Sequence, residues 1–499
     1  MKNTFRRVIL PVLLVLCLLM TSMLSAAAAD PAAGTGSAGQ TSAQTATGSG
    51  TPNKPGSGTG KGTGGGTGGG TGGGSGSSSD EGSGEGSDSS SSSSTEPSST
   101  EPSTEPTTEP TTKPKIKGPT VAYVDGKWQY FNANGDTDPT FTGLAQNAAG
   151  WWYVKNGIVD FSETSVIYDP GTKCWWFVKD SHLTKGPDVE PNAAGWWYIN
   201  EEGLVDFGWN QISHNAAGWW YIKNGKVDFN YTGVGYNAAG WWYCKGGKVD
   251  FSFTGIAENA AGQWYVKNGK VGFDYTGSVS YRGMTYHVTG SKVDGARVYV
   301  PSTSQLPDFP TGCEAASAAA LLRYYGYRVS TGNMVSVIPR QNLYYQNGRT
   351  YGPSIYEKFV GDPRGTYTSG TPGYGAFAPV VTRALNTMIA QRGGGDTAVN
   401  ITGASPATLY NYIAHGSPVL VWATYNMNSP RTVNAWYIKT ANGDQYFSYP
   451  RGTHVMILMG YDANNVTVMD PYGGGTKVFS RSAFVSKYNL LGKQAIVLQ

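Results

Sequence analysis

The chain has 499 residues, a formal net charge of +3 and 39% hydrophobic residues, with 70 glycines and 4 cysteines. Its charge is uneven: residues 296–499 carry 16 Lys and Arg against 8 Asp and Glu, a net of +8, whereas residues 30–118 carry 5 against 9. A basic C-terminal region suits an anionic surface. No basic-aromatic pattern for nucleic acid accompanies it, so no nucleic-acid partner is expected.

The first residues read as an export signal. Lys2, Arg6 and Arg7 precede an apolar stretch, Val8 to Leu24, and "LSAAAAD" follows with small residues for cleavage near Ala29. An uncleaved membrane anchor is the alternative, because the stretch lies near the lower length limit of a span. Residues 30–118 are Gly, Ser, Thr and Pro with sparse charge, and cannot bury a core. They are expected to form a disordered tether, about 90 residues of coil with an end-to-end distance of roughly 50 Å.

Residues 119–295 repeat. "NAAG" begins at Asn147, Asn192, Asn215, Asn237 and Asn259, in steps of 45, 23, 22 and 22. The long step hides one unit, "DPGTKCWWFVKD", and with worn copies at either end about eight units are expected. A period this short implies a stacked array rather than one globular core. In "WWYIKNGKVDF", Trp219 to Phe229, Asn224-Gly225 predicts a hairpin with a type I′ turn. Pairing about that turn sets Lys223 opposite Lys226, Ile222 opposite Val227, Tyr221 opposite Asp228 and Trp220 opposite Phe229. Alternation then puts Trp220, Ile222, Val227 and Phe229 on a core face. The other face carries Trp219, Tyr221, Lys226 and Asp228. By the same rule Trp196, Tyr198, Trp219, Tyr221, Trp241 and Tyr243 are candidate ligand-binding residues, unless the aromatics only cement the stack. Cys244 is expected in the apolar face, and no bridge between Cys174 and Cys244 is expected.

The last segment, 296–499, opens with "QLPDFPTGCEAASAAALLRYYG". Helical spacing predicts a helix from Cys313 to about Tyr325, closed by Gly326. A thiol at a helix N-terminus feels the positive end of the macrodipole, which favours the nucleophilic thiolate; a small buried hydrophobe is the alternative reading. His182, His214 and His287 lie in the repeats. His415 ends a helix with Ser405 as N-cap and Pro406 at its first position, where a terminal cation explains it. His454 opens the strand "HVMILMGY", and "VTVMDP" returns Asp470 toward it, so Asp470 could orient His454 as the base to Cys313. There is no H-E-x-x-H, no G-x-S-x-G and no clustered Cys/His set, so neither metal nor cofactor is expected.

Two resemblances follow from these motifs. The Trp-Tyr strand, glycine turn and trailing "TG" resemble the choline-binding or cell-wall-binding repeats of Gram-positive surface proteins, β-hairpin solenoids whose aromatic cages hold choline. The "NAAG" lead and "VDF" tail depart from that consensus. "SQLPDFPTGCEAASAAALLRYYG", "AFAPVVTRALN" and "THVMILMGYDANNVTVMDPYGG" resemble the papain-like cysteine peptidases related to the bacteriocin-processing, double-glycine peptidase family. That resemblance implies Cys313 as nucleophile, His454 as general base and acid, Asp470 as orienting residue and Gln305 as a donor to the oxyanion. The leader-peptide specificity of transporter-fused members is not carried over. The expected architecture is multidomain: signal peptide 1–29, disordered tether 30–118, β-hairpin solenoid repeats 119–295 and an α+β papain-like cysteine peptidase domain 296–499. The expected protein is a secreted, wall-associated cysteine peptidase of a Gram-positive-type bacterium. Its expected partners are a peptide or protein substrate and a wall polymer (teichoic acid, choline or glycan). A peptidoglycan stem-peptide hydrolase and an inactive surface-binding protein are the alternatives.

Overall fold

Alternating aromatic and aliphatic residues punctuated by glycine turns build β-hairpins, and the alanine-rich segment after Gly312 builds a helix. The structure, a computed structural model, describes residues 115–430 and 433–499. The expected signal peptide, and the tether up to residue 114, lie outside the described residues. Eight consecutive hairpins are found among the described residues, from Thr120–Val124 with Lys127–Phe131 to Gly277–Tyr281 with Met284–Thr289. The C-terminal part is built on an antiparallel sheet carrying five helices, so the chain is multidomain, with hairpin repeats followed by an α+β domain.

The repeat has three strands rather than two. Ile212–Asn215 pairs with Gly218–Lys223, so "NAAG" is itself a tight turn, with Asn215 opposite Gly218. The expected second turn also forms: Lys223 pairs with Lys226 and Ile222 with Val227, and Asn224 and Gly225 take φ of 52° and 74°. The Asn side chain closes the first turn. Asn215 Oδ1 accepts from the Ala217 N–H and from Trp220 Nε1, both at 2.9 Å, while its Nδ2 donates 2.8 Å to the Val189 carbonyl of the preceding unit. Asn147, Asn192 and Asn259 make the same three bonds.

Lysines tie four of the units to the one before. Lys226, Lys248, Lys270 and Lys292 pair with Trp197, Trp220, Trp242 and Trp264 of the preceding units. Their ammonium groups lie 5.0, 5.3, 4.9 and 5.4 Å from those ring centroids, within cation–π range. Their stems explain the glycine of "NAAG": a Cβ on Gly195 or Gly218 would meet Cε of Lys226 or Lys248 at 2.4 or 2.6 Å.

Several expected facings are corrected. Tyr198 and Tyr243 are buried, stacked on Trp209 at 4.2 Å and Phe253 at 3.7 Å, and half-buried Tyr221 stacks on Tyr231 at 3.7 Å. In an array both faces of a hairpin are covered, one by the neighbouring unit and one by the unit's own tail. The tyrosines therefore lie inside a clasp rather than on a ligand surface. Lys226, expected beside Trp219, instead lies over Trp197. Phe229 is not paired with Trp220, because the third strand stops at Val227. Phe229 is exposed and meets Trp220 edge-on at 5.7 Å. Trp220 is buried at 8% exposure, Trp219 is at the surface at 36%, and Trp196, Trp241 and Trp242 are half-buried. Cys174 and Cys244 are free thiols, Cys244 fully buried.

The C-terminal sheet joins β1 (Lys292–Arg297), β2 (Ala398–Asn400), β3 (Val419–Thr424), β4 (Thr453–Tyr461), β5 (Asn465–Asp470), β6 (Gly475–Ser480) and β7 (Ala495–Leu498). The order runs β1-β4-β3-β7-β2, with β5 and then β6 following from β4. Strand β1 ends the repeats and also pairs with β4, Ala296 opposite Tyr461, so a boundary at 295/296 falls within a strand. Helices α1 (Cys313–Tyr324), α2 (Thr331–Val337), α3 (Ala378–Gln391), α4 (Pro406–Ala414) and α5 (Arg481–Leu490) cover the sheet. As expected, β4 is buried along nearly its whole length, and Ser405 caps α4. Among the described residues no helix is long and apolar enough to cross a membrane.

Candidate active site

Helix α1 is buried from Cys313 to Leu322, and its five alanines let it lie close on the sheet. Ser317 Oγ donates 3.1 Å to the Val455 carbonyl, fixing α1 against β4 one residue from His454. Strand pairing sets Ala423 opposite His454. The turn after β4 returns the chain so that His454 Nε2 lies 2.6 Å from Asp470 Oδ1. Asp470 also accepts from the Tyr472 N–H at 2.8 Å and pairs with Lys477 Nζ at 2.7 Å. The Gln305 N–H donates 2.9 Å to the Pro471 carbonyl, which holds the Gln305 loop beside Asp470.

Cys313, His454 and Gln305 line one cleft of about 580 Å³, together with Tyr367, Tyr425 and Arg451. Gln305 is buried. One of its amide N–H groups donates to the Pro310 carbonyl at 2.7 Å, and its Oε1 has no partner. Asp470 Oδ1 occupies His454 Nε2, so Nδ1 is the ring nitrogen left to act in the cleft. The edge of the Tyr425 ring meets the imidazole at 5.7 Å.

The electrostatics differ from the expectation drawn from the helix dipole. Burial pushes the Cys313 thiol well above its ordinary value, and the neighbouring Glu314 carboxyl adds to this. The thiol donates to Glu314 Oε2 at 3.3 Å. Glu314 itself is 1% exposed and is pushed up to about 7 by burial, although the Ala376 N–H donates to its Oε1 at 2.8 Å. Glu314 is the residue that sequence reasoning missed. Its signal was an acid directly after Cys313 in a helix apolar on every side, where no face is left for solvent. Burial also opposes charge on Asp470, but the His454 bond and Lys477 outweigh it and hold its carboxyl at about 2.

The α+β domain thus gathers a cysteine at a helix start, a histidine–carboxylate pair and a glutamine around one cleft, a set whose chemistry is that of a thiol nucleophile with a base. Residues 297–496 match the Peptidase_C39 like family. Residues 140–160, 213–228, 230–250 and 252–271 match the choline-binding repeat. The chain is 30% identical over 193 residues to the uncharacterized protein YvpB of Bacillus subtilis, an alignment covering 39% of this chain and 71% of that one. The chain belongs to the Peptidase_C39 like family, with choline-binding repeats in its middle. Among solved structures it is similar to a candidate C39-like peptidase from Bacillus anthracis (27% identity, 40% of this chain and 94% of that one, TM-score 0.34). It is also similar to CbpJ of Streptococcus pneumoniae (19% identity, 34% and 56%, TM-score 0.19).

Proposed function

We propose that the protein is a secreted, cell-wall-associated cysteine peptidase. The observation that carries this reading is the His454–Asp470 pair sharing a cleft with Cys313 and Gln305. His454 Nδ1 takes the Cys313 proton, and the sulfur attacks the carbonyl carbon of an amide. The oxyanion is met by the second N–H of Gln305 and by the backbone N–H of Cys313 at the open start of α1. His454 then returns the proton to the leaving amine, and water hydrolyses the thioester by the same base. Asp470, locked by Lys477 and the Tyr472 N–H, keeps the imidazole oriented throughout.

The repeats support a wall-bound setting. Trp196 meets Trp220 edge-on at 4.9 Å and Trp241 meets Trp264 at 5.0 Å, closing two interfaces between units. At the interface between them, Trp219 instead stacks on His214 at 4.5 Å, and a pocket of about 280 Å³ lies among Trp219, Trp242 and Phe251. That pocket is a candidate site for a wall polymer bearing choline or a sugar. Wall anchoring also favours the stem peptides of peptidoglycan as the amide substrate. The test incubates purified walls and a peptide library with wild-type and Cys313→Ala protein and reads the products by mass spectrometry. New amine and carboxylate termini should appear only with wild type. Equal products from both proteins would overturn the assignment, and wall binding without products would leave a binding protein.

A further inference from the structure

We propose that Glu314 is the resting-state proton partner of Cys313: its ionised carboxylate holds the thiol as a hydrogen-bond donor, and protonation of Glu314 releases the sulfur to His454. The proposal rests on the reading of Cys313 as nucleophile and adds a group that touches the reacting atom. The thiol's hydrogen bond goes to Glu314 Oε2 at 3.3 Å. The carboxyl sits in a pocket shaped for it. The Ala376 N–H binds Oε1 at 2.8 Å, and Gly375, at φ +150°, leaves the room: a Cβ there would meet Glu314 Oε1 at 2.7 Å and the Tyr449 hydroxyl at 2.8 Å. Such a pocket binds a carboxyl whichever charge state it holds, because the Ala376 N–H donates to either.

The two charge states act oppositely on the sulfur. Ionised Glu314 accepts from S–H and repels a thiolate 3.3 Å away. In neutral Glu314 the carbonyl oxygen Oε1 still accepts from Ala376 and the proton sits on Oε2, whose O–H can donate to the sulfur as the thiol proton passes to His454. No electrons move; one proton enters from solvent onto Glu314, and one crosses from Cys313 to His454. The other ionisable groups around the pair are Tyr367 and Tyr449, both pushed up by burial, with Arg451 at 4.7 Å over the Tyr367 ring and His454 on β4. Both tyrosines stay neutral through the neutral range, so the changes of charge there belong to Glu314, Cys313 and His454.

The test needs no substrate. The rate of Cys313 alkylation by iodoacetamide is followed by peptide mass spectrometry from pH 5 to 9 in the full-length wild type, Glu314→Gln and His454→Ala. Glutamine keeps an acceptor for Ala376 and turns a permanent N–H toward the sulfur. Glu314→Gln should therefore alkylate about tenfold faster than wild type at pH 8, a shift of about one pKa unit, and lose the inflection near neutrality. A profile that superimposes on wild type, or is slower at pH 8, overturns the proposal. Glu314→Asp keeps the charge and shortens its reach. It should also alkylate faster at pH 8 with the inflection retained, and a wild-type profile in this variant counts equally against the proposal. If His454→Ala leaves the rates unchanged while Glu314→Gln raises them, the Cys–His reading fails and the role of Glu314 stands. The reverse pattern sinks Glu314 alone.

Discussion

Replacing Asp470 by Asn measures how much stability the buried carboxylate contributes. In the fold it accepts from His454 and the Tyr472 N–H and pairs with Lys477, and its pKa is held at about 2 against the ordinary 3.8. A folded-state value below the unfolded one means that the carboxylate stabilises the fold above the unfolded pKa. That stability is lost as pH falls through the folded value. At about 1.4 kcal/mol per pKa unit the full contribution is about 2 kcal/mol, of which about 1 kcal/mol is lost by pH 3. Asparagine keeps the shape and an acceptor oxygen but does not titrate. Native-state hydrogen exchange of β4 and β5 amides in the full chain, corrected for intrinsic rates at pH 6 and pH 3, reads the difference directly. Asp470→Asn should be less protected at pH 6. The gap to wild type should narrow by about 1 kcal/mol, roughly fivefold in the opening equilibrium, at pH 3. An equal gap at both pH values would refute the reasoning, because the loss would then be steric rather than electrostatic.

In the repeats, Trp220→Ala removes a buried ring that is bonded to Asn215 and covered by Lys248, and should cost about 3–5 kcal/mol. Trp219→Ala, at the surface, should change stability by less than about 1 kcal/mol while weakening wall binding; calorimetry and pull-down on purified walls check both, and equal loss of stability in the two variants would count against this assignment. At the junction of the repeats and the C-terminal domain, His415 Nε2 lies 3.0 Å from Glu258 Oε2 and its Nδ1 lies 2.8 Å from the Asn411 carbonyl. Burial opposes the imidazole's charge, but the Asn411 carbonyl and Glu258 outweigh it and raise its pKa. The contact is therefore complete below the unfolded histidine value and is lost as pH rises through the folded one. Protection of amides at the end of α4, corrected for intrinsic rates, should fall on going from pH 6 to 8.5, and Glu258→Gln should flatten that trend.

The geometry of the C-terminal half was legible because each of its parts has a local cause. A glycine before Cys313 and another after Tyr325 bound the helix. The run "HVMILMG" can only be a central strand, and the short turn to "VTVMD" dictates that Asp470 returns to His454. The charge on the thiol was not legible, because it depends on Glu314 being enclosed by Gly375, Ala376 and Tyr449, which come from distant segments. In the repeats, Asn224-Gly225 announced its turn through positive φ at both positions. "NAAG" carries only the weaker mark of Asn and Gly at the ends of a turn, and the bond from Asn215 to Trp220, five residues on, is not visible locally. Alternation puts the tyrosines on the face opposite Trp220, but it does not say that both faces are covered. The cover for Tyr221 is Tyr231, ten residues away in the tail of its own unit.

One strand gives the two halves a common physical fate. Lys292, at the start of β1, pairs with Trp264 as the last cation of the repeat array, while Ala296 and Arg297 at its other end pair with Tyr461 and Gly460 of β4. Around it the Tyr286 hydroxyl donates to the Ala414 carbonyl at 3.2 Å and Glu258 meets His415. Strand β4 is the same strand that carries His454 at its opposite end. Backbone pairing at Tyr461 and the placement of the imidazole therefore depend on one continuous buried element. The array is thereby more than a tether. Its last strand, β1, extends the sheet on which the candidate catalytic base stands.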